Sequence, residues 1–141
     1  GLTGQVTAAW TVMLAYALMG SEVLTSTTPA NIGNRVQGVA HNNLSLWTTY
    51  NLSTLINTGP GRLTAGFGVF YRDEVYTSSA NTYLIPSAVT FDAMLSYEWD
   101  KYRVAANVYN LTNETNYDTF FNSRAIPNAG RTFTLTASAR W

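Results

Sequence analysis

The feature that most constrains this chain is a period-two alternation of apolar and polar residues, which recurs along most of its 141 residues. The stretch from Thr132 to Trp141 shows it clearly, because Phe133, Leu135 and Ala137 alternate there with Thr and Ser. Successive side chains of a β-strand point to opposite faces of the sheet. The pattern therefore predicts strands with one apolar and one polar face.

About six such strands are expected, each close to the roughly 9 to 11 residues that a tilted membrane-spanning strand needs. The expected strands cover residues 5–16, 44–52, 63–72, 89–99, 102–109 and 132–141. The connections between them are long near residues 17–41, 76–88 and 112–130, and short at 57–62 and 100–101. Long loops on one side and short turns on the other are typical of outer-membrane β-barrels.

The composition agrees with a sheet that water does not cover on all sides. Charged residues make up 11% of the chain, less than half of the roughly 25% found in average globular proteins. The formal net charge is +0 and Lys101 is the only Lys, so a basic surface for nucleic acid is not expected. The absence of Cys excludes disulfides and thiolate metal sites within the chain.

Aromatic residues at strand ends are expected to form a girdle at each membrane interface. On the apolar face, the predicted lipid-facing girdle residues are Tyr16 and Tyr71 at the long-loop ends, and Trp99, Tyr102 and Trp141 at the short-turn ends. The opposite face carries the charged residues Arg72, Asp92, Glu98, Arg103 and Arg140. That face is expected to line a wet or protein-filled lumen.

No catalytic constellation is visible, and the protein is not expected to be an enzyme. His41 is the only His, so neither a Ser-His-Asp triad nor a His-based metal site has its second partner. Asp73 and Glu74 are adjacent, so on a strand they would point to opposite faces and could not act as an acid/base pair. Asn110 and Asn116 are expected to hydrogen-bond a strand end or a loop backbone.

Five stretches, taken in order, carry a family resemblance. They are NNLSLWTTYNL (42–52), GFGVFYRDEVY (66–76), ANTYLIPSAVTFDAMLSYEW (80–99), YRVAANVYNLTNETNYDT (102–119) and GRTFTLTASARW (130–141). With them, the whole chain resembles the C-terminal end of a TonB-dependent siderophore receptor. Thr112 and Trp141 stand where the family often has Phe, and both changes are conservative for a strand exit and a terminal aromatic.

The resemblance implies an all-β fold, an antiparallel transmembrane β-barrel segment of about six strands within a barrel of about 22 strands and a plugged lumen. It implies uptake of ferric siderophores across the bacterial outer membrane, driven by the TonB complex. Residues 1–141 would form the C-terminal portion of the barrel, without the plug domain. The siderophore would be the transported ligand, with no cofactor bound directly.

The resemblance also implies the partners of the chain. These are outer-membrane lipid, the TonB complex and the plug domain through the missing N-terminal part, and the outer-membrane assembly machinery through the C-terminal strand. Six strands cannot close a barrel, since the smallest single-chain barrels have about eight. A fragment of a longer receptor is therefore expected.

Two alternatives from other classes remain open at this point. One is a small outer-membrane barrel with a structural or adhesive role, completed by oligomerisation. The other is a soluble β-sandwich binding module, because a sandwich also alternates with period two. The sandwich would be soluble as a monomer without detergent.

Ligand contacts, if this portion makes any, are expected from aromatic and Arg side chains at the long-loop side, which suit a polar chelate with apolar patches. The candidates are Trp47, Phe70, Arg72, Tyr117, Phe120, Phe121 and Arg124. Lining of the lumen or packing within a loop is the alternative role for each, because few lining residues touch a ligand.

Overall fold

The computed structural model describes residues 1–120 and 124–141, which form strands and connecting loops. The strands are β1 (Leu2–Thr7), β2 (Trp10–Leu18), β3 (Asn42–Asn51), β4 (Arg62–Arg72), β5 (Val75–Tyr76), β6 (Leu84–Ile85), β7 (Ala88–Trp99), β8 (Tyr102–Tyr109), β9 (Tyr117–Phe120), β10 (Arg124–Pro127) and β11 (Thr132–Ala139). Single 3-10 turns occupy Pro29–Asn31 and Leu52–Thr54. In the described part of the chain, no helix has the length and apolar character needed to cross a membrane.

Seven strands form one antiparallel sheet in the order β1-β2-β3-β4-β7-β8-β11. The all-β, antiparallel fold class is therefore confirmed. Within the described residues the sheet is not closed, because β1 and β11 each pair along one side only. The short hairpins β5-β6 and β9-β10 extend two of the long loops.

The single strand expected over residues 5–16 is wrong, because the chain reverses at Ala8 and Ala9 to make β1 and β2. The Ala9 N–H donates to Thr7 Oγ1 at 3.3 Å, and the pairing register shifts between Gln5 and Thr7. The alternation runs through this turn without a Gly or Pro, so the sequence pattern does not mark the reversal. The sheet consequently has seven strands instead of about six.

The register brings the apolar sides of all seven strands onto one face. One cross-sheet row runs from β11 to β2 through Leu135, Ala106, Leu95, Ala65, Tyr50 and Trp10. The face is uncovered: Leu135 is 76% exposed and Phe133 is 71% exposed. A soluble β-sandwich would cover such a face with a second sheet about 10 Å away, so the sandwich alternative is not favoured.

The opposite face is polar and carries small residues. The adjacent row runs from β11 to β1 through Thr134, Asn107, Met94, Gly66, Thr49, Thr11 and Gln5. Trp47 lies flat across Gly66 and Gly68 of the neighbouring strand, and a Cβ on Gly68 would be 2.6 Å from Trp47 Cε3. Two glycines thus make room for one indole on this face.

The loops that follow β2 and β4 pack against each other above the sheet. Ala40, Val75 and Ile85 form a small buried cluster there, in which Val75 is 1% exposed. Asn81 holds Arg35 at both backbone groups, since its Oδ1 accepts from the Arg35 N–H at 2.8 Å and its Nδ2 donates to the Arg35 carbonyl at 2.9 Å. These contacts form an ordered rim at the long-loop end.

Candidate functional site

A cavity of about 600 Å³ lies on the polar face at the long-loop end of the sheet. Even-numbered positions of two strands line it, among them Phe70 and Arg72 of β4 and Thr90 and Asp92 of β7. The register explains the convergence, because Phe70 pairs with Thr90 and Arg72 pairs with Ala88. Further lining residues come from β2, β3, β9, the ends of β4, β7 and β8, and the segments that flank β9 and β10: Ala15, Tyr16, Ala17, Asn43, Leu44, Ser45, Tyr71, Ala88, Tyr109, Asn110, Asn116, Asp118, Asn128 and Ala129.

Arg72 ties the end of β4 to β9 across the rim of this cavity. Its Nη1 is 2.6 Å from Asp118 Oδ1, and its Nη2 donates to the Tyr117 carbonyl at 2.7 Å. The Arg72 side chain is 25% exposed, against 60% for that of Asp118. Both contacts use the planar fork of the guanidinium, which can serve a carboxylate and a carbonyl together.

Asn110 shapes the segment that leads from β8 towards β9. It is 7% exposed and has a φ of +53°, in the left-handed region that Asn tolerates better than most residues. Its Oδ1 accepts from the Glu114 N–H at 3.0 Å, and Asp92 Oδ1 accepts from the Asn110 N–H at 2.9 Å. The expected strand-end role of Asn110 is confirmed, while that of the Asn116 side chain stays a prediction.

The charges on the cavity wall are one guanidinium, Arg72, and two carboxylates, Asp92 and Asp118. Asp92 is bonded to the Asn110 backbone and Asp118 to Arg72. The remaining polar groups are amides and hydroxyls beside the ring of Phe70. Such a wall can hold a polar ligand with apolar patches by hydrogen bonds, and the described residues contain no cluster of three metal-ligating side chains.

The structure brings together two of the seven candidate ligand residues, Phe70 and Arg72, as cavity lining. Tyr117 contributes its carbonyl to Arg72, and Trp47 lies further down the polar face over Gly68. Arg124 is exposed on β10. Phe121 and the side chain of Phe120 lie outside the described residues. Ligand contact stays a prediction for all seven.

Asp118 is a cavity residue that the sequence pattern does not reveal. It lies 46 residues from Arg72 in the chain, within a long polar segment that carries no alternation. Thr90 lies on a predicted strand and Asn43 directly precedes one, and the alternation places both on the polar face. Only the register shows that they share one cavity with Phe70.

The predicted girdle residues in the paired strands lie on the apolar face. Tyr16 pairs with Leu44, which pairs with Tyr71, and Trp99 pairs with Tyr102 at the short-turn end. The rings of Trp99 and Tyr102 are 5.7 Å apart between centroids. Trp141 follows β11 and is fully exposed. Their contact with lipid stays a prediction.

Asp73, directly after β4, is held ionised at the loop base. Asn42 Nδ2 donates to its Oδ2 at 2.9 Å, and the Glu74 N–H donates to its Oδ1 at 2.9 Å. These two hydrogen bonds favour the carboxylate and lower the pKa of Asp73 below its ordinary value. The paired loop ends of β3 and β4 are thereby linked.

A single antiparallel sheet with an apolar face, a polar face and long loops on one side is a segment of an outer-membrane type of β-barrel. The family model described as "TonB dependent receptor-like, beta-barrel" matches residues 1–111. The chain therefore belongs to the TonB-dependent receptor β-barrel family. This is a family of outer-membrane receptors and transporters, and the expected family and fold class are confirmed.

Two curated relatives illustrate the similarity. A probable TonB-dependent receptor, BfrD of Bordetella pertussis, is 31% identical over 148 aligned residues, which cover 96% of this chain and 19% of that protein. A probable TonB-dependent siderophore receptor, PiuA of Acinetobacter baumannii, is 29% identical and aligns with 100% of this chain and 20% of its own length. The chain thus spans about one fifth of the curated relatives that it matches.

Solved structures share the fold. The crystal structure of PiuA from Acinetobacter baumannii superimposes with a TM-score of 0.78 at 29% identity, covering 96% of this chain and 20% of that one. BauA, the ferric preacinetobactin receptor of the same species, superimposes with a TM-score of 0.84 over the same shares, at 21% identity. At that identity BauA supports the fold alone.

Proposed function

We propose that this chain forms seven consecutive strands in the barrel wall of an outer-membrane receptor that takes up ferric siderophores in a TonB-dependent manner. The observation that carries the proposal is the two-faced sheet, in which the register joins every apolar strand side into one uncovered face. A siderophore receptor among the relatives at 29% identity supports the ligand class. An oligomeric small barrel is not favoured, because the relatives are about five times as long as this chain.

In this proposal residues 1–141 belong to the C-terminal portion of the barrel. The apolar face contacts outer-membrane lipid, and the polar face lines a lumen filled by the plug domain of the complete receptor. TonB acts through that remaining part, and β11 is the strand recognised by the assembly machinery. The receptor moves its ligand without changing it chemically, so the proposed activity is transport and not catalysis.

The cavity beside Arg72 would contribute to the outer, ligand-facing part of the lumen. Amide and hydroxyl groups on its wall can hydrogen-bond the polar ligand groups around the ferric ion, and Phe70 offers an apolar surface. The ferric siderophore is the cargo, bound on its way through. Phe70 and Arg72 are the candidate contacts that this part of the receptor offers.

The proposed function is tested by measuring uptake of radioactive iron in cells that lack the receptor and in cells that carry it. A panel of catecholate, hydroxamate and mixed ferric chelates should include at least one whose uptake requires both the receptor and TonB. Loss of TonB should abolish that uptake while the receptor remains in the outer membrane. Equal uptake of every chelate with and without the receptor would contradict the proposal.

The contribution of the cavity is tested separately with Phe70→Ala, whose expected effect is weaker binding of the transported chelate. Loss of one well-placed aromatic contact corresponds to a roughly three- to tenfold higher Kd. The matched control is Phe67→Ala, which removes the same type of side chain from the opposite, apolar face of β4. Equal binding by both variants and the unmodified receptor would exclude Phe70 from the ligand site.

A further inference from the structure

A second charged cluster lies at the other end of the polar face, beside the short turns. The side chains of Arg62, Arg103 and Arg140 gather there around one carboxylate, Glu98. Asp100 and Lys101 form the adjoining turn, and the Lys101 Nζ lies over the ring of Tyr102, 5.7 Å from its centroid. Three arginines against Glu98 make the lumen side of this cluster cationic, and we call these three residues the turn-side basic cluster.

Glu98 does not neutralise the cluster. The register places it between Arg62 and Arg103, but its carboxylate pairs with Arg62, with an Nη2–Oε2 distance of 3.4 Å. Within residues 1–120 and 124–141, no ion pair involves Arg103 or Arg140. Arg103 is half-buried, and a small hollow of about 40 Å³ lies between it, Ser138 and Arg140.

The chemistry of these side chains specifies what can bind there. A guanidinium presents a planar fork of donors that matches a carboxylate, and a partly buried charge without a partner is costly. Free solution does not fill the lumen of a barrel of about 22 strands, which is plugged by protein. The carboxylates that meet these arginines are therefore expected to come from protein inside the barrel.

The two ends of the polar face differ in charge, and this difference gives the partner an orientation. The cavity at the long-loop end has two carboxylates and one guanidinium. The short-turn end has the three guanidiniums of the turn-side basic cluster and the Lys101 ammonium against two carboxylates, Glu98 and Asp100, so it is net cationic. An acidic segment is repelled at the first end and attracted at the second. It is thereby directed to the short-turn end of the wall.

We infer that the turn-side basic cluster is a docking surface for an acidic segment of the plug domain. This inference rests on the proposed function only in so far as the complete receptor carries a plug in its lumen. Arg103 and Arg140 bind carboxylates of that segment across the hollow beside Ser138, and Arg62 stays with Glu98. The contact holds the plug against β7, β8 and β11.

The location of the partner is tested in the complete receptor with a photo-crosslinking amino acid in place of Ser138, between the two free guanidiniums. Irradiation in outer membranes followed by mass spectrometry should yield a cross-linked plug peptide that contains at least two Asp or Glu residues. The control position is Ser45, on the same face at the opposite end, where that peptide should be absent. A cross-link from Ser138 to a peptide without carboxylates, or no cross-link to the plug, would overturn the inference.

The strength of the contact is tested by plug release in planar lipid bilayers, measured as channel openings at increasing urea concentration. The double substitution Arg103→Ala and Arg140→Ala should raise the open fraction at a given urea concentration by roughly tenfold, since close charge pairs at interfaces are strongly coupled. A matched control, Arg35→Ala with Arg131→Ala, removes two charges at the long-loop end and should leave the open fraction unchanged. Heat-modifiable migration in gels checks that every variant is folded.

Glu98→Gln separates docking from a general loss of stability. This substitution frees Arg62 and makes the cluster more cationic, so the plug should bind more tightly and the open fraction at a given urea concentration should fall. If Glu98 has only a structural role, the open fraction should rise instead. Equal opening by Glu98→Gln and by the double Arg variant contradicts the inference, and so does unchanged plug release in the double Arg variant. Plug release needs no siderophore, so this result is independent of whether the receptor transports one.

Discussion

Arg72 and Asp118 are joined by an ion pair with an Nη1–Oδ1 distance of 2.6 Å, although 46 residues separate them in the chain. The pair connects the end of β4 to the hairpin β9-β10, and the Tyr117 carbonyl accepts a second hydrogen bond from Arg72. No other ion pair within the described residues joins a strand of the main sheet to this hairpin. The Arg72 guanidinium therefore links the hairpin directly to the end of β4.

Arg72→Ala should loosen the hairpin without unfolding the sheet. Exposed ion pairs contribute roughly 0.2 to 1 kcal/mol, so hydrogen exchange of the β9 and β10 amides should accelerate by up to about fivefold. Arg72→Lys should be intermediate, because it keeps the charge and loses the fork. Unchanged exchange in Arg72→Ala would show that the hairpin is held by other contacts.

Gly68→Ala should destabilise the sheet because the added Cβ would meet the Trp47 ring 2.6 Å away. Overpacking of this kind costs about 1 to 3 kcal/mol, measurable as a lower urea midpoint for the receptor folded in lipid vesicles. Gly4→Ala is the control, since its Cβ meets nothing within 4 Å. In a Trp47→Ala background the additional cost of Gly68→Ala should be smaller, and an equal cost would assign the clash to the Phe70 ring, whose Cε2 lies 2.8 Å from the added Cβ.

Leu135→Arg tests which face meets the membrane. Leu135 lies on the uncovered apolar face and Thr134 on the polar face of the same strand. An Arg on the lipid face near the bilayer midplane costs roughly 2 to 4 kcal/mol, so Leu135→Arg should reduce the folded, heat-modifiable fraction in outer membranes. Thr134→Arg should be tolerated. A lower folded fraction for Thr134→Arg than for Leu135→Arg would place Thr134 on the lipid face and Leu135 on the lumen face.

The hydrogen bonds to Asp73 predict that the stability of the structure at the base of the loops depends on pH. The pKa of Asp73 in the folded protein is lower than its usual value, so the carboxylate stabilises the fold fully at pH values above that usual pKa. This contribution is lost as the pH falls through the lowered pKa. Asn42→Ala removes the largest cause and should raise the pKa of Asp73, observed by NMR of its carboxyl carbon. An unchanged pKa in Asn42→Ala would exclude this contact as the cause, with Asn43→Ala as the control.

The strands were predictable where alternation and turn residues agree. The segments at 44–52, 63–72, 89–99, 102–109 and 132–141 correspond to β3, β4, β7, β8 and β11 within a few residues. Period two is a local property of the backbone, and a sheet that separates two environments leaves it in the sequence. The tight reversal at Ala8 and Ala9 and the hairpin β9-β10 escaped prediction, because neither interrupts or creates an alternation.

The candidate site was predictable only as residue types. Phe70 and Arg72 could be chosen because they are an aromatic and a cation on the polar face near a long loop. Their neighbours in space come from β7, from the end of β8 and from Asp118, and no spacing along the chain encodes those contacts. The pairing of Glu98 with Arg62 instead of Arg103 likewise depends on side-chain position within one register.

The amino-acid sequence by itself determined that the chain forms two-faced antiparallel strands, and it identified the receptor family to which they belong. The strands are readable because side-chain direction alternates along any strand, whatever its neighbours are, and the family is readable from the five stretches that resemble it. Only the tertiary structure decided which strands are adjacent, how their rows align, and which charges meet at each end of the polar face. Those properties arise from hydrogen bonds between residues far apart in the chain, and a shift of one residue in any register would reverse the faces of that strand.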